Sequence, residues 1–139
     1  NQILDGNKKI KLGNVSAFRD FNYVTDTASA FINILNAKKD IYGETFNFGS
    51  SYQLSIRDLV MLIGKLMNVD IKIVTDKNRI RPKKSEVMSL LANSSKAKKI
   101  LKWKPIYSGR AGLVDGLKVT IKWFKDNRHL YQNYKKYVK

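Results

Sequence analysis

One arginine, Arg19, lies just ahead of a predicted strand that runs directly into a predicted helix. The residues that follow it, Phe21, Tyr23 and Val24, favour β-structure, and Asp26 then stands where a helix N-cap is expected. A planar guanidinium on a rigid element suits a pair of phosphate oxygens. The pattern makes Arg19 a candidate anion-binding residue, and an ordinary surface arginine is the alternative from these residues alone.

Three closely spaced glycines could indicate the turn that binds the pyrophosphate of a dinucleotide. They are Gly109, Gly112 and Gly116. That turn requires its own glycine spacing and follows a buried parallel strand directly. These glycines have a different spacing and follow a Trp-Lys-Pro loop. We therefore predict that they do not form a cofactor site.

A second pattern that suggests catalysis is the Tyr-x-x-x-Lys spacing of Tyr131 and Lys135, in which a lysine assists a tyrosine that acts as a base. With seven tyrosines in a lysine-rich chain, one chance match is expected. The single histidine, His129, has no carboxylate or nucleophile beside it in the sequence, and no cluster has metal-ligand spacing. The sequence therefore predicts neither catalytic residues nor a metal site in this chain.

The composition indicates one domain without thiol chemistry. The chain has 139 residues, 43% of them hydrophobic, and no cysteine, so a core can form and disulfides are excluded. No apolar run reaches the length of a membrane span, and no signal peptide opens the chain. We therefore expect a cytoplasmic protein without a membrane partner.

The formal net charge of +16 raises the question of nucleic-acid binding. Lysines account for most of the basic residues, they are scattered over every segment, and no nucleic-acid-binding motif is present. We therefore expect no nucleic-acid partner, and the charge reflects a lysine-rich composition or attraction for a small anion. A stand-alone basic module for nucleic acid or another polyanion stays as the alternative function, and an oligomerisation domain as a third.

Hydrophobic periodicity predicts further strands over residues 10–12, 45–48 and 71–74. It predicts a helix from Asp26 to about Lys39 with positive charge in its last turn, and a second helix opened by a capping box of Ser55 and Asp58. A short helix over 96–101 is capped by Ser94, and a long amphipathic helix precedes a helical tail over 131–139. Residues 76–84 form a polar loop.

Four segments together resemble the C-terminal part of extended short-chain dehydrogenases that act on nucleotide sugars. They read RDFNYVTD from Arg19, GETFNFG from Gly43, RP with a following SEV from Arg81, and NSSKA through LKWKP from Asn93. Each is weak alone, but all four occur in the family's order and spacing and cover nearly the whole chain. The chain is thus similar to the NAD-dependent nucleotide-sugar epimerases and dehydratases, with GDP-mannose and UDP-N-acetylglucosamine 4,6-dehydratases as the nearest branch.

The resemblance implies an α/β fold, a small mixed sheet with flanking helices, which forms the substrate-binding portion of a Rossmann-type dehydrogenase without its Gly-rich cofactor unit. Residues 1–139 would be a single nucleotide-sugar-binding domain from which the cofactor-binding half is absent. NAD(P) would be the cofactor of the full-length enzyme, whereas this chain would bind none and be inactive alone. The implied partners are the nucleotide sugar, the missing N-terminal half and further copies in a homo-oligomer.

The resemblance also implies a binding role for individual residues. Arg19 and Arg81 match arginines that bind the substrate's diphosphate, the latter because Pro82 follows it directly. Asn47 matches a residue that contacts the ribose-diphosphate part, and Glu86 one that accepts hydrogen bonds from the ribose hydroxyls. We therefore expect both arginines on one side of the sheet, with Asn47 and Glu86 near them.

Two weaker assignments complete the predicted site. Lys11 and Leu12 lie in a strand that lines the base pocket in the resembled enzymes, although a plain edge strand fits them equally well. Lys83 and Lys84 are extra relative to the GDP-mannose type and precede Glu86. Both 4,6-dehydration and 4-epimerisation are compatible with these segments.

Overall fold

The computed structural model describes residues 1–38, 40–80, 82 and 85–131. Its strands are β1 (Lys9–Leu12), β2 (Phe18–Asp20), β3 (Gln53–Ser55), β4 (Lys72–Thr75) and β5 (Ser89–Leu90). Its helices are α1 (Val24–Leu35), α2 (Ile56–Leu66), α3 (Ser95–Ile100) and α4 (Gly109–Asp126), with 3-10 turns at Lys77–Arg79 and Arg128–Tyr131. The mixed α/β class predicted from the sequence is confirmed.

The strands divide between two small sheets. β1 pairs in parallel with β4, placing Lys11 opposite Val74. In the second sheet β2 is central, antiparallel to β3 and parallel to β5, so that Arg19 lies opposite Leu54 on one side and Leu90 on the other. Arg19 is therefore held in the middle of a three-stranded sheet rather than ahead of a strand.

The strand predicted over residues 45–48 is wrong, because this stretch belongs to no sheet among the described residues. The predicted alternation nevertheless holds, since Phe46 and Phe48 pack against the core while Asn47 is exposed. Alternating side chains fix which face is buried, but a strand also needs a neighbouring strand to pair with.

The ends of α1 also differ from the prediction. The helix begins at Val24 and ends at Leu35, with no basic residue in its last turn, so the predicted extension to Lys39 with its charged last turn is wrong. The N-cap is Tyr23, whose side chain makes no capping hydrogen bond.

Asp26 is not the N-cap of α1, because its carboxylate is used elsewhere. The side chain is 1% exposed and accepts hydrogen bonds from the backbone N–H of Ile106 at 2.8 Å and of Tyr107 at 2.9 Å. Its own carbonyl accepts from the indole N–H of Trp103 at 3.2 Å. One buried residue therefore joins α1 to the segment that leads into α4.

The other helix starts behave largely as predicted. The Ser55 hydroxyl accepts the backbone N–H of Asp58 at 3.0 Å and contacts the Asp58 carboxylate at 2.6 Å, which completes the predicted cap of α2. Ser94 occupies the N-cap of α3, but its hydroxyl accepts the N–H of Gly49 at 2.8 Å instead of capping the helix. Residues 132–139 of the predicted tail lie outside the described residues.

The core lies between α1 and α3. Its buried centre is Ala30, Ala97, Leu101 and Trp103, and partly buried side chains surround it: Ile34, Ala37, Ile41, Phe46, Phe48 and Ile100. The Trp103 ring is 2% exposed and meets Phe48 edge to face, with ring centroids 5.0 Å apart. Within the described part of the chain, no helix is both long and apolar enough to cross a bilayer.

Replacing Asp26 by Ala should lower the free energy of unfolding by about 2–4 kcal/mol, because two buried N–H groups lose their acceptor. Asp26→Asn should cost less, since one amide oxygen still accepts. Urea denaturation of the full chain measures both. The control is Asp115→Ala, which removes an exposed carboxylate and should change stability by no more than about 0.5 kcal/mol. Equal losses from Asp26→Ala and Asp115→Ala would contradict the structural role of Asp26.

Candidate functional site

The mixed sheet brings Arg19 into contact with Glu86. The guanidinium Nη2 lies 2.9 Å from the carboxylate Oε1, and the two side chains are 23% and 13% exposed. Nη1 donates to the carbonyl of Phe18 at 2.7 Å. Contacts at both terminal nitrogens thus fix the orientation of the guanidinium. It keeps further N–H donors for another acceptor.

Two segments distant in sequence create this pair. β2 carries Arg19, and the N–H of Phe18 donates to the carbonyl of Met88 at 2.7 Å as β5 begins. Ahead of Glu86, the carbonyl of Pro82 accepts both the N–H and the hydroxyl of Ser85, at 2.9 and 3.0 Å. Glu86 follows Ser85 directly and β5 begins at Ser89, so that the carboxylate lies beside the central strand.

Asp20, next to Arg19 on β2, organises the opposite side of the sheet. Its carboxylate accepts from the N–H of Ser50 at 2.8 Å, from the Ser50 hydroxyl at 2.6 Å and from the N–H of Ala92 at 3.4 Å. Successive residues of a strand point to opposite faces, so Arg19 and Asp20 serve different surfaces. Sequence patterns assigned no role to Asp20, and its position directly after the candidate Arg19 is a signal that could have suggested one.

The predicted ribose contact, Glu86, has one oxygen occupied by Arg19. Its second carboxylate oxygen forms no hydrogen bond to a described residue. Asn47 is exposed on the stretch that leads to Gly49 and Ser50, and its side chain forms no hydrogen bond within the described ranges. The structure therefore joins Glu86 directly to Arg19. Beside Asn47, the carbonyl of Phe48 accepts from the side-chain amide of Asn22, which follows β2, at 3.1 Å.

The predicted base contacts lie on the other sheet. Lys11 is exposed on β1, and its backbone N–H and carbonyl pair with the Gln2 side chain at 2.9 and 3.2 Å. The carbonyl of Leu12 accepts the N–H of Asp76 at 2.7 Å. Beyond β1, the side-chain amide of Asn14 lies 3.8 Å from the Met88 sulfur. The end of β1 thus approaches the segment of Glu86 without placing Lys11 or Leu12 against Arg19.

The predicted second phosphate-binding arginine, Arg81, lies outside the described residues, as do Lys83 and Lys84. Its neighbour Arg79 forms an ion pair with Asp76 at 3.2 Å. The expected convergence of Arg19 and Arg81 therefore stays a prediction.

A groove of about 680 Å³ opens beside α3. It is bordered by the lysines Lys98 and Lys104 and by serine hydroxyls, with Trp103 at its wall. Arg19 and Glu86 are not among the residues that line it, so this groove is separate from the predicted diphosphate site.

Two glycines of α4, Gly112 and Gly116, serve close packing. A Cβ at Gly112 would lie 2.1 Å from the carbonyl carbon of Tyr107, and one at Gly116 would lie 3.2 Å from the Tyr23 ring. The rings of Tyr23 and Tyr107 are themselves 4.3 Å apart between centroids. These glycines let α4 approach both tyrosines closely, and they do not fit the pyrophosphate turn of a dinucleotide site.

The described residues offer little support for other catalytic or metal-binding groups. His129 lies in the terminal 3-10 turn, and Lys135 of the Tyr-x-x-x-Lys pair is outside the described ranges. Across residues 1–38, 40–80, 82 and 85–131 no group of three or more His, Asp or Glu side chains is placed to hold a metal ion.

Comparison with solved structures shows the same fold in larger enzymes. A UDP-glucuronic acid 4-epimerase from Bacillus cereus, in complex with UDP-glucuronic acid and NAD, superposes with a TM-score of 0.75 and 29% identity, covering 90% of this chain and 37% of that one. A dTDP-glucose 4,6-dehydratase from Bacillus anthracis in complex with NAD superposes with a TM-score of 0.73 and 27% identity. The match covers 92% of this chain and 38% of the dehydratase.

Sequence relatives agree with the structural ones. A UDP-glucuronate 4-epimerase from Thermodesulfobacterium geofontis is 32% identical, over 92% of this chain and 37% of the relative. A dTDP-D-glucose 4,6-dehydratase from Homo sapiens is 28% identical, over 96% of this chain and 37% of the relative. The chain thus spans a little over a third of the length of these curated relatives. A family model described as GDP-mannose 4,6 dehydratase matches residues 1–115, and the chain belongs to that family of nucleotide-sugar dehydratases and epimerases.

Proposed function

We propose that this chain binds the nucleoside diphosphate of a nucleotide sugar, as the substrate-binding part of an NAD-dependent 4,6-dehydratase or epimerase. The observation that carries the proposal is the guanidinium of Arg19, fixed on the central strand and oriented by Glu86 at 2.9 Å. Relatives that act on UDP, dTDP and GDP sugars support the substrate class.

The chemistry follows from the unused donors of Arg19. A guanidinium has five N–H donors, and contacts to Phe18 and Glu86 occupy only part of them. A diphosphate oxygen pair would complete the fork, with each charge-assisted hydrogen bond worth roughly 1.5–3 kcal/mol. In this proposal Arg81 supplies the second cation, Glu86 and Asn47 bind the ribose, and Lys11 and Leu12 line the base pocket.

The proposal places the cofactor on a different part of the protein. NAD would accept the hydride when the sugar is oxidised at C4, and in this proposal its site and the proton-transferring residues lie outside residues 1–139. Gly112 and Gly116 support this division, since they pack against Tyr107 and Tyr23. Residues 1–139 then form one nucleotide-sugar-binding domain that is inactive alone.

The net charge of +16 favours a second candidate, a basic module for nucleic acid. Such binding would rest on many scattered lysines and would weaken steeply with salt, with no dependence on a single arginine. Nucleoside-diphosphate binding differs because it depends on Arg19.

Replacing Arg19 by Ala in the full chain should weaken binding of UDP, GDP or dTDP by about tenfold or more, since the loss of one charge-assisted contact exceeds 1.4 kcal/mol. Calorimetry at fixed ionic strength measures the affinity. The matched control is Arg110→Ala, an exposed arginine on α4, which should bind as the unaltered chain does. Equal affinities for the unaltered chain and Arg19→Ala would show that the diphosphate is bound elsewhere.

Glu86→Gln should raise the affinity for inorganic pyrophosphate several-fold, because the carboxylate that neutralises Arg19 is removed. The gain should be smaller for a nucleoside diphosphate, whose ribose loses an acceptor. The ratio of the two affinities, measured by calorimetry, is the readout. Glu44→Gln is the control, since Glu44 pairs with the exposed Lys96. A ratio that moves equally in both variants would contradict the assigned role of Glu86.

The unaltered chain should show no micromolar binding of NAD, because the proposal places the cofactor site outside residues 1–139. Calorimetry with NAD tests this, and a full-length dTDP-glucose 4,6-dehydratase provides the positive control. One stoichiometric micromolar site on this chain would overturn the division into substrate and cofactor parts.

A further inference from the structure

The groove beside α3 has no part in the site proposed above. Its volume of about 680 Å³ falls within the range of roughly 300–1,000 Å³ that is typical of small-molecule sites. One residue of its lining, Ala92, donates its N–H to the Asp20 carboxylate at 3.4 Å. Because Asp20 and Arg19 point to opposite faces of β2, the groove lies on the face of the strand away from Arg19.

The lining of this groove carries positive charge only. Two lysines line it, Lys98 on α3 and Lys104 shortly after that helix, and none of the described acidic residues does. Elsewhere on the surface Lys96 and Lys118 form ion pairs with carboxylates, whereas Lys98 and Lys104 pair with no carboxylate in the described ranges. A cleft lined by charges of one sign concentrates counter-ions, so this groove attracts anions.

Neutral hydrogen-bond donors lie in the same groove. Ser51 and Ser95 are exposed in its lining, and their hydroxyls donate to none of the described residues. The side-chain oxygen of Asn93 accepts the N–H of Ser95 at 3.0 Å, which leaves the Asn93 amide nitrogen as a donor. Because that N–H is occupied, side chains rather than the start of α3 would hold a ligand.

The backbone around the groove is fixed by contacts within the chain. Lys104 stands between Trp103, which is 2% exposed, and Pro105, whose ring restricts the backbone of the residue before it. The indole N–H of Trp103 donates to the Ser29 hydroxyl at 2.9 Å. Ser51 has a φ of 61°, a left-handed conformation that is uncommon outside glycine and that clusters at functional sites. A preorganised lining lowers the cost of ordering it around a ligand.

We infer that this groove is a second anion site, which binds a small organic phosphate such as a nucleoside monophosphate. The phosphate would contact the ammonium groups of Lys98 and Lys104, and the neutral donors would complete its hydrogen bonds. Leu91, which is 54% exposed, and Pro105 border the groove, and they would contact the organic part. The inference is independent of the proposed function, since it uses no residue of the diphosphate site.

The test is a titration of the Arg19→Ala chain with AMP at fixed ionic strength, followed by the amide NMR signals of the isotope-labelled protein. This variant removes the arginine of the proposed diphosphate site, so binding at that arginine does not contribute. Saturable shifts should centre on the amides of Ala92 and Ser95. AMP should bind at least about tenfold tighter than inorganic phosphate, since its organic part adds contacts. Equal affinities would reject an organic phosphate as the ligand.

The double variant Lys98→Gln with Lys104→Gln, made in the same chain, should weaken AMP binding by about tenfold or more, because two charge-assisted contacts are lost. The matched control, Lys65→Gln with Lys125→Gln, removes the same charge from two exposed lysines outside the groove and should keep the affinity. Equal weakening by both pairs would show diffuse attraction by the net charge and would overturn the site. The absence of saturable AMP binding to Arg19→Ala would also overturn it.

A chemical label of the unaltered chain keeps the inference testable if the lysine variants do not fold. The aldehyde of pyridoxal 5′-phosphate condenses with a lysine amine to an imine, with loss of water, and borohydride reduces the imine to a secondary amine. Peptide mass spectrometry should find the label first on Lys98 or Lys104, and AMP should block it there but not at Lys125. Labelling that is even over the exposed lysines and insensitive to AMP would contradict the site. Neither readout depends on Arg19, so its failure is distinguishable from failure of the proposed function.

Discussion

The buried carboxylate of Asp26 is the contact on which the arrangement of this chain depends. It accepts the N–H groups of Ile106 and Tyr107, and the carbonyl of the same residue accepts the indole of Trp103. A side chain in the first turn of α1 thereby fixes the central aromatic ring of the core and the entry to α4. Because a buried carboxylate without partners is costly, the N–H groups of Ile106 and Tyr107 stabilise the folded position of Asp26.

The candidate site inherits its rigidity from this anchor. β2 ends at Asp20 and α1 starts at Val24, so fixing α1 leaves the strand that carries Arg19 little freedom. Asp20 adds a second anchor on the other side by holding Ser50 and Ala92. An arginine placed between two such anchors is preorganised, which lowers the entropic cost of ordering it around an anion.

Local patterns in the sequence correctly predicted the features that depend only on neighbouring residues. The cap of α2 by Ser55, β1 and the core position of Trp103 are examples. The predictions failed where the structure of a segment depends on a contact with residues distant in sequence. Asp26 looks like an N-cap because its acceptor role depends on a segment 80 residues away, and residues 45–48 look like a strand because alternation does not reveal whether a neighbouring strand is present.

The candidate site shows the same difference between local sequence patterns and contacts distant in sequence. Family motifs selected Arg19 and Glu86, but not the 2.9 Å contact between them, because the pairing of β5 with β2 brings them together. Lys11 and Leu12 were grouped with them, yet they lie on a separate sheet. The motifs therefore predicted that Glu86 lies near Arg19, whereas the contact itself depends on the pairing of strands distant in sequence.

The most direct test of the central claim is a titration of the isotope-labelled chain with UDP-glucuronate, followed by amide and arginine side-chain NMR signals. A nucleotide-sugar site at Arg19 should give saturable shifts centred on Arg19, Phe18 and Glu86, with the guanidinium signal of Arg19 moving most. Shifts that spread over exposed lysines and vanish with modest salt, while Arg19 stays unchanged, would contradict a nucleotide-sugar site and favour non-specific attraction of anions.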